Sequence, residues 1–218
     1  MPAAGSRRVP RAERERQMLD AAVATFARRG YRAASMDEIA EAAGVSKPMV
    51  YLYLNSKDEL FTACIRREAD ALAAAVRDAV EEGAGPERQL WSGLLGFFEH
   101  TAAHPDGWTV LYSQARTVGE PFAAEVAVLR AEIVDFVAGL IAAACGSQDV
   151  AGYAHALVGA AESLAGWAAS SPSPALSGED LAATLMNFAW SGLAALLPPP
   201  AGSPPGAPAA WRGLSSRG

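Results

Sequence analysis

Between Ser35 and Lys57 the sequence SMDEIAEAAGVSKPMVYLYLNSK admits few backbone paths. Ser35 followed by Glu38 has the spacing of a capping box, in which a hydroxyl takes an orphan helix amide and the carboxylate reaches back to the cap. Ile39, Ala40 and Ala43 recur at helical spacing, and Gly44 stands where a helix closes in the left-handed region. Val45 is an apolar plug and Ser46 can cap a second helix. Pro48 then falls in a first turn, where a missing N–H costs nothing. Two short helices about a three-residue turn make a helix-turn-helix, whose second helix enters the major groove of DNA.

The cations agree with that reading. The chain's two lysines, Lys47 and Lys57, both lie here. Lys47 opens the second helix, and Lys57 opens the following one, where an ammonium and helix-terminal amides together would grip a phosphate. Tyr51 and Tyr53 offer hydroxyls for phosphates. Many helical pairs share the Ala…Gly…Val spacing without touching DNA, so the segment alone leaves a purely structural pair open.

The longer run AAVATFARRGYRAASMDEIAEAAGVSKPMVYLYLNSKDELF resembles the N-terminal domain of the TetR family of transcriptional regulators. The resemblance covers about residues 12 to 61. It takes in Phe26-Ala-Arg-Arg-Gly30-Tyr31, the signature from Gly44 to Tyr53, and Ser56-Lys57-Asp58-Glu59-Leu60. It implies that Ser35, Lys47, Pro48, Met49, Tyr51, Tyr53 and Lys57 lie against DNA, with Ser46 beside them as the cap of the reading helix. Met49 replaces the small hydroxyl residue often found in the family, and Leu52 stands where a His or aromatic is common. Both departures bear on base preference.

A net charge of −6 would oppose nucleic acid if spread evenly, but it is not. Residues 1–60 hold ten Arg/Lys against eight Asp/Glu, a net of +2; residues 61–218 hold eight against sixteen, a net of −8. An acidic body repelled by DNA fixes the docking pose. The 218 residues, 51% apolar, supply core for one large domain or two small ones. Cys64 and Cys145 form no CxxC pair, and no secretory signal precedes them. Reduced cytoplasmic thiols serving as small core residues are the simpler reading.

Residues 1–10 read as a flexible basic arm, in which Arg7 and Arg8, followed by Arg11, either reach a minor groove or stay solvated. A first helix, about Ala12 to Arg29, buries Met18, Leu19, Ala22, Val23 and Phe26 and stops at Gly30. A long helix from Lys57 to about Glu82 carries Leu60, Phe61, Cys64, Ala69 and Leu72 on one face, and no Pro- or Gly-rich hinge interrupts it. The expected domains are therefore 11–60 for the helix-turn-helix and 61–197 for a helical body, with 198–218 a disordered Pro/Gly-rich tail holding Trp211. Period-3.6 patterning continues through the body: Leu90 to Phe98, a shorter irregular segment with Trp108, Leu111 and Tyr112, then Val126 to Ile141. Alternating strands are nowhere convincing, and the fold class is all-α.

Two last helices are expected, Val150 to Ser170 with Glu162 as its one formal charge and Leu181 to Leu197 with none. A helix apolar all round must be covered all round. The second is too short and too weakly apolar for a membrane span. Burial on one side by the body and on the other by a second copy satisfies both helices, with Gly159, Gly166 and Gly192 among the small residues allowing close approach. The resemblance implies the same: in the TetR family the last two helices form the dimer contact, here about 150–170 and 178–197.

Catalytic patterns are missing: no G-x-S-x-G, no P-loop, no H-E-x-x-H, no Cys/His zinc spacing. His100 and His104 at i, i+4, with His155 as a possible third, could hold a divalent ion, but histidines at a helix end more often complement its dipole. Neither a metal nor a cofactor is expected. The aromatic load (Trp91, Phe98, Trp108, Tyr112, Phe136, Tyr153 and Trp167, with His104) fits either ordinary core or a cavity for a small, mostly apolar ligand. The sequence thus predicts a cytoplasmic, homodimeric repressor, released from a palindromic double-stranded operator by an unidentified effector. The alternative is a helical-bundle ligand-binding or catalytic protein with a vestigial helix-turn-helix.

Overall fold

The computed structural model describes residues 10–53, 55–147, 149–171, 176–194 and 196–197. Most of the basic arm, with Arg7 and Arg8, and the 198–218 tail with Trp211 lie outside them. The described elements are helical throughout: α1 Arg11–Arg29, α2 Met36–Ala42, α3 Lys47–Tyr53, α4 Lys57–Ala79, α5 Pro86–Ala103 and α6 Pro105–Trp108. A π-helical turn, Thr109–Gln114, follows and leads into α7 Ala115–Val118, α8 Phe122–Cys145, α9 Ala151–Ser170 and α10 Gly178–Ala194. The expected irregular segment around Trp108 is thus helical, interrupted by one wide turn. No described helix is long and apolar enough to cross a membrane.

The chain divides into two compact units. The first takes residues up to Ala74 and Ala103–Arg130; the second takes Ala75–Ala102 and Ala131 onward. In the first, the expected stripe of α1 is buried at Met18, Ala22, Val23 and Phe26. It meets Met36, Ile39 and Ala40 of α2, Val50 of α3, and Leu60, Phe61, Cys64 and Ile65 of α4. Val110, Leu111, Ala115 and Phe122 complete the same cluster. Phe61 is its centre, edge-on to Phe26 and Phe122 with centroids at 4.9 Å from each, and 4.8 Å from Tyr31. Such pairings add to what area burial alone provides. The Cys64 thiol, sunk in this cluster, is pushed up to about 12 by burial and is inert.

Polar ties fix α4 within that unit. Arg67 donates to Asp20 of α1 at 2.7 Å and to Glu68 at 2.6 and 2.9 Å. A Cβ at Gly107 would fall on the Glu68 carboxylate, so any other residue there must push that side chain aside.

In the second unit, α9 buries Ala154, Leu157, Ala161 and Ala165, and α10 buries Leu181, Ala182, Leu185 and Met186; the two helices pack together. α10 begins at Gly178, not Leu181, and so carries Glu179 and Asp180 in its first turn. The reason is a reciprocal cap: Asp180 N–H donates to Ser177 Oγ at 3.1 Å, and Ser177 N–H to Asp180 Oδ2 at 3.0 Å. The Ser177 hydroxyl holds the Asp180 carboxyl below its usual range. Within the unit, close approach falls at Gly96, where a Cβ would sit 2.9 Å from the Ala75 carbonyl.

Because Phe61 is fully buried among three rings, Phe61→Ala should cost about 3–5 kcal/mol in denaturant unfolding of the full chain. A loss below about 1 kcal/mol would show that the ring cluster does not hold the unit together.

Candidate nucleic-acid interface

The turn between α2 and α3 is built as the glycine predicts. Gly44 has φ 65°, its N–H donates to the Glu41 carbonyl at 3.0 Å, and Val45 N–H reaches the Ala40 carbonyl at 3.0 Å. This is a Schellman closure, in which two otherwise orphaned carbonyls are satisfied. At the other end of α2, Ser35 Oγ accepts Glu38 N–H at 3.1 Å. The second half of the expected capping box is replaced. Glu38 turns its carboxylate to Arg28 at 3.0 Å and Arg29 at 3.1 Å, and those guanidinium bonds lower its pKa. Two cations outcompete one amide for the same oxygen. Ser46 precedes α3, its carbonyl accepting Met49 N–H at 2.9 Å and Val50 N–H at 3.3 Å.

α3 has one buried position, Val50; Lys47, Pro48, Tyr51 and Leu52 are exposed, and Met49 and Tyr53 are half-buried. Lys47 Nζ donates to Asp37 at 2.9 Å between two solvent-exposed side chains, and that hydrogen bond raises the lysine's pKa. An exposed pair of this kind is readily exchanged for a phosphate. Met49 Sδ lies 4.0 Å from Arg14 Nη1, and Arg11 stands over the Tyr53 ring at 5.1 Å. Arg11 is therefore the first residue of α1, stacked on the reading helix, and not part of a free arm. Arg14 carries no sequence signal for this place, because the α1–α3 crossing that brings it to Met49 is tertiary.

Lys57, expected against a phosphate, is engaged within the chain. Its ammonium donates to the carbonyls of Tyr31 at 2.9 Å, Ala34 at 3.2 Å and Arg32 at 3.4 Å, and lies 4.5 Å from the Tyr31 ring centroid. All three of its donors are engaged. Tyr31 in turn donates its hydroxyl to Asp58, and burial followed by this bond pushes its pKa up to about 12. The loop is gripped from the other side as well. Tyr31 N–H donates to Gln114 Oε1 at 3.4 Å, and Gly30, at φ 77°, would bring a Cβ to 3.3 Å from that oxygen. Gln114 is the last residue of the π-turn, a wide turn often found at functional positions.

The aromatic candidates divide between the units. His104, Trp108 and Tyr112 belong to the first, with Trp108 and Tyr112 stacked at 4.9 Å. Trp91, Phe98, Phe136, Tyr153 and Trp167 belong to the second. Phe98 and Trp108 are buried, while Tyr153 and Trp167 are 45% and 55% exposed. Among the described residues no group of three or more His, Cys, Asp or Glu is placed to hold a metal.

Residues 18–64 match the family model described as bacterial regulatory proteins, tetR family, and residues 86–192 match the tetracyclin repressor-like C-terminal domain. A TetR-like transcriptional regulator from Rhodococcus sp. RHA1, of known structure, is 42% identical, with TM-score 0.74 over 86% of this chain and 99% of that one. The transcriptional activator FasR of Mycolicibacterium smegmatis is 38% identical over 143 residues, 64% of this chain and 65% of that protein. The repressor KstR2 of Mycobacterium tuberculosis is 34% identical over 91 residues, 42% and 46% respectively. The chain thus spans less than two thirds of the length of these two curated relatives.

If Lys57 is a clamp, Lys57→Met should cost about 1–3 kcal/mol of stability and leave the salt slope of DNA binding unchanged. A slope reduced by about one, with stability unchanged, would return Lys57 to the phosphates.

Proposed function

The chain belongs to the TetR family of bacterial regulatory proteins, and we propose that it works as a homodimer. In this reading each copy presents α3 to a palindromic operator, and a small, mostly apolar ligand held by the helical body releases the DNA. The observation that carries this reading is the division of α3: Val50 is fully buried, and Lys47, Pro48, Tyr51 and Leu52 are left outside. A vestigial helix-turn-helix would have no reason to keep a cation, a tyrosine hydroxyl and an uncovered leucine on one exposed face. Such a regulator works where the genome is, which for a bacterium is the cytoplasm.

The homodimer is supported by α9 and α10. Their mutual contact covers only part of each helix, and Tyr153, Trp167 and Phe188 remain 45%, 55% and 80% exposed. Bulky apolar groups on nearly charge-free helices call for a covering surface, and a second copy supplies one by symmetry. Two copies would set two α3 helices one duplex turn apart, about 34–36 Å.

Release requires that the body bias the reader. The loop from Gly30 to Ala34 enters α2 directly, and it is held by Gln114 on one side and Lys57 on the other. A ligand that favours another arrangement of the Thr109–Gln114 turn withdraws the Gln114 oxygen and frees the loop. The shift is set by the ligand's differential affinity for the two states. Regulation of the opposite sign has its own support, since FasR is named an activator. Transcription in vitro from the chain's own promoter, with and without the protein, separates the two signs.

The reading predicts retention of own-promoter DNA against excess random duplex at moderate salt. Lys47→Ala should weaken that binding and lower the salt slope by about one, for one phosphate released. Equal affinity for random and promoter DNA would overturn the operator. Gln114→Leu, which keeps the volume but cannot accept the Tyr31 amide, should weaken operator binding without ligand. Unchanged operator affinity in a stably folded variant would remove Gln114 from the relay.

A further inference from the structure

We infer that Leu52 reads the C5-methyl group of a thymine, and so sets base preference at one position of each half-site. The inference rests on α3 being the DNA reader. Among the described residues up to Ala74, the exposed large hydrophobic side chains are Tyr51, at 39%, and Leu52, at 78%. The other large apolar groups described up to Ala74 are covered or half-covered; these two are neighbours on one short helix.

Their positions share one side of that helix. Lys47 and Tyr51 are four residues apart, as are Pro48 and Leu52, so the pairs form two adjacent rows, away from buried Val50. Leu52 lies five residues into α3, about 7.5 Å along its axis from Lys47, well within a groove the helix occupies.

Chemistry then selects the target. A tyrosine can give its hydroxyl to a phosphate; a leucine has nothing to donate or accept and gains only by leaving water. Of the base-edge groups in the major groove, the apolar one is the thymine methyl. Met49 and Pro48 are the other apolar residues of α3 on which a methyl could rest; Met49 is half-buried, with its sulfur 4.0 Å from Arg14 Nη1, and Pro48, though exposed, is a short ring closed onto its own backbone in the first turn. Leu52 is the uncommitted one.

The test uses the full chain and duplexes enriched by it from a random DNA pool. Each thymine of the enriched site is replaced in turn by deoxyuridine, which removes the methyl and nothing else. The wild type should lose about fourfold in affinity, the worth of one buried methyl, at one position per half-site. Leu52→Ala, an exposed substitution, should bind thymine and deoxyuridine equally at that position, while Lys47→Ala keeps the discrimination. Wild-type binding that ignores deoxyuridine everywhere would overturn the inference, as would a Leu52→Ala variant that still pays the penalty. A pool yielding no enriched sequence would instead overturn the reader itself, and the inference with it.

Discussion

The packing of Phe61 into α1 is the constraint on which everything N-terminal depends. α2 and α3 are seven residues each, too short to persist alone in water. They exist because Met36, Ile39, Ala40 and Val50 close onto a surface that Phe26, Phe61 and Leu60 have made. Phe122, from the far end of the same unit's sequence, seals that surface from behind. What reaches DNA is therefore a helix held by one valine and aimed by the body of the unit.

The same unit holds its entry loop from two directions, and the proposed release acts through that grip. Lys57 satisfies three carbonyls between Tyr31 and Ala34, and Gln114 takes the Tyr31 amide. Neither contact is strong alone, but both act on a loop of a few residues immediately before Ser35. A small change at the π-turn therefore meets a short lever. A protein that must both hold DNA and let it go gains from keeping its reader on contacts of this modest size.

Much of this was legible in sequence where the signal was local. Ser35, Gly44 and Pro48 constrain their own few residues, and the helix-turn-helix they predict is the one observed. The charge segregation and the apolar stripe of α1 followed for the same reason. The local signal runs out where a side chain has a choice of partners. Glu38 prefers two arginines to the amide of Ser35, and Lys57 finds carbonyls that exist only once the Tyr31 loop has folded back. The start of α10 is local too, since Ser177 and Asp180 have capping spacing. The Gln114 link spans 83 residues and leaves no trace in any local pattern. Which side of Tyr153 and Trp167 is covered has no local mark either, because a helix apolar on every face does not show which face packs.

Regulation of the kind proposed needs a pair of readers acting together on one duplex. Its most direct measurement is hydroxyl-radical footprinting of own-promoter DNA combined with the mass of the complex in solution. Two protected patches on one face of the DNA, about one helical turn apart, in a complex containing two chains, is the predicted result. A single protected patch bound by one chain would contradict it.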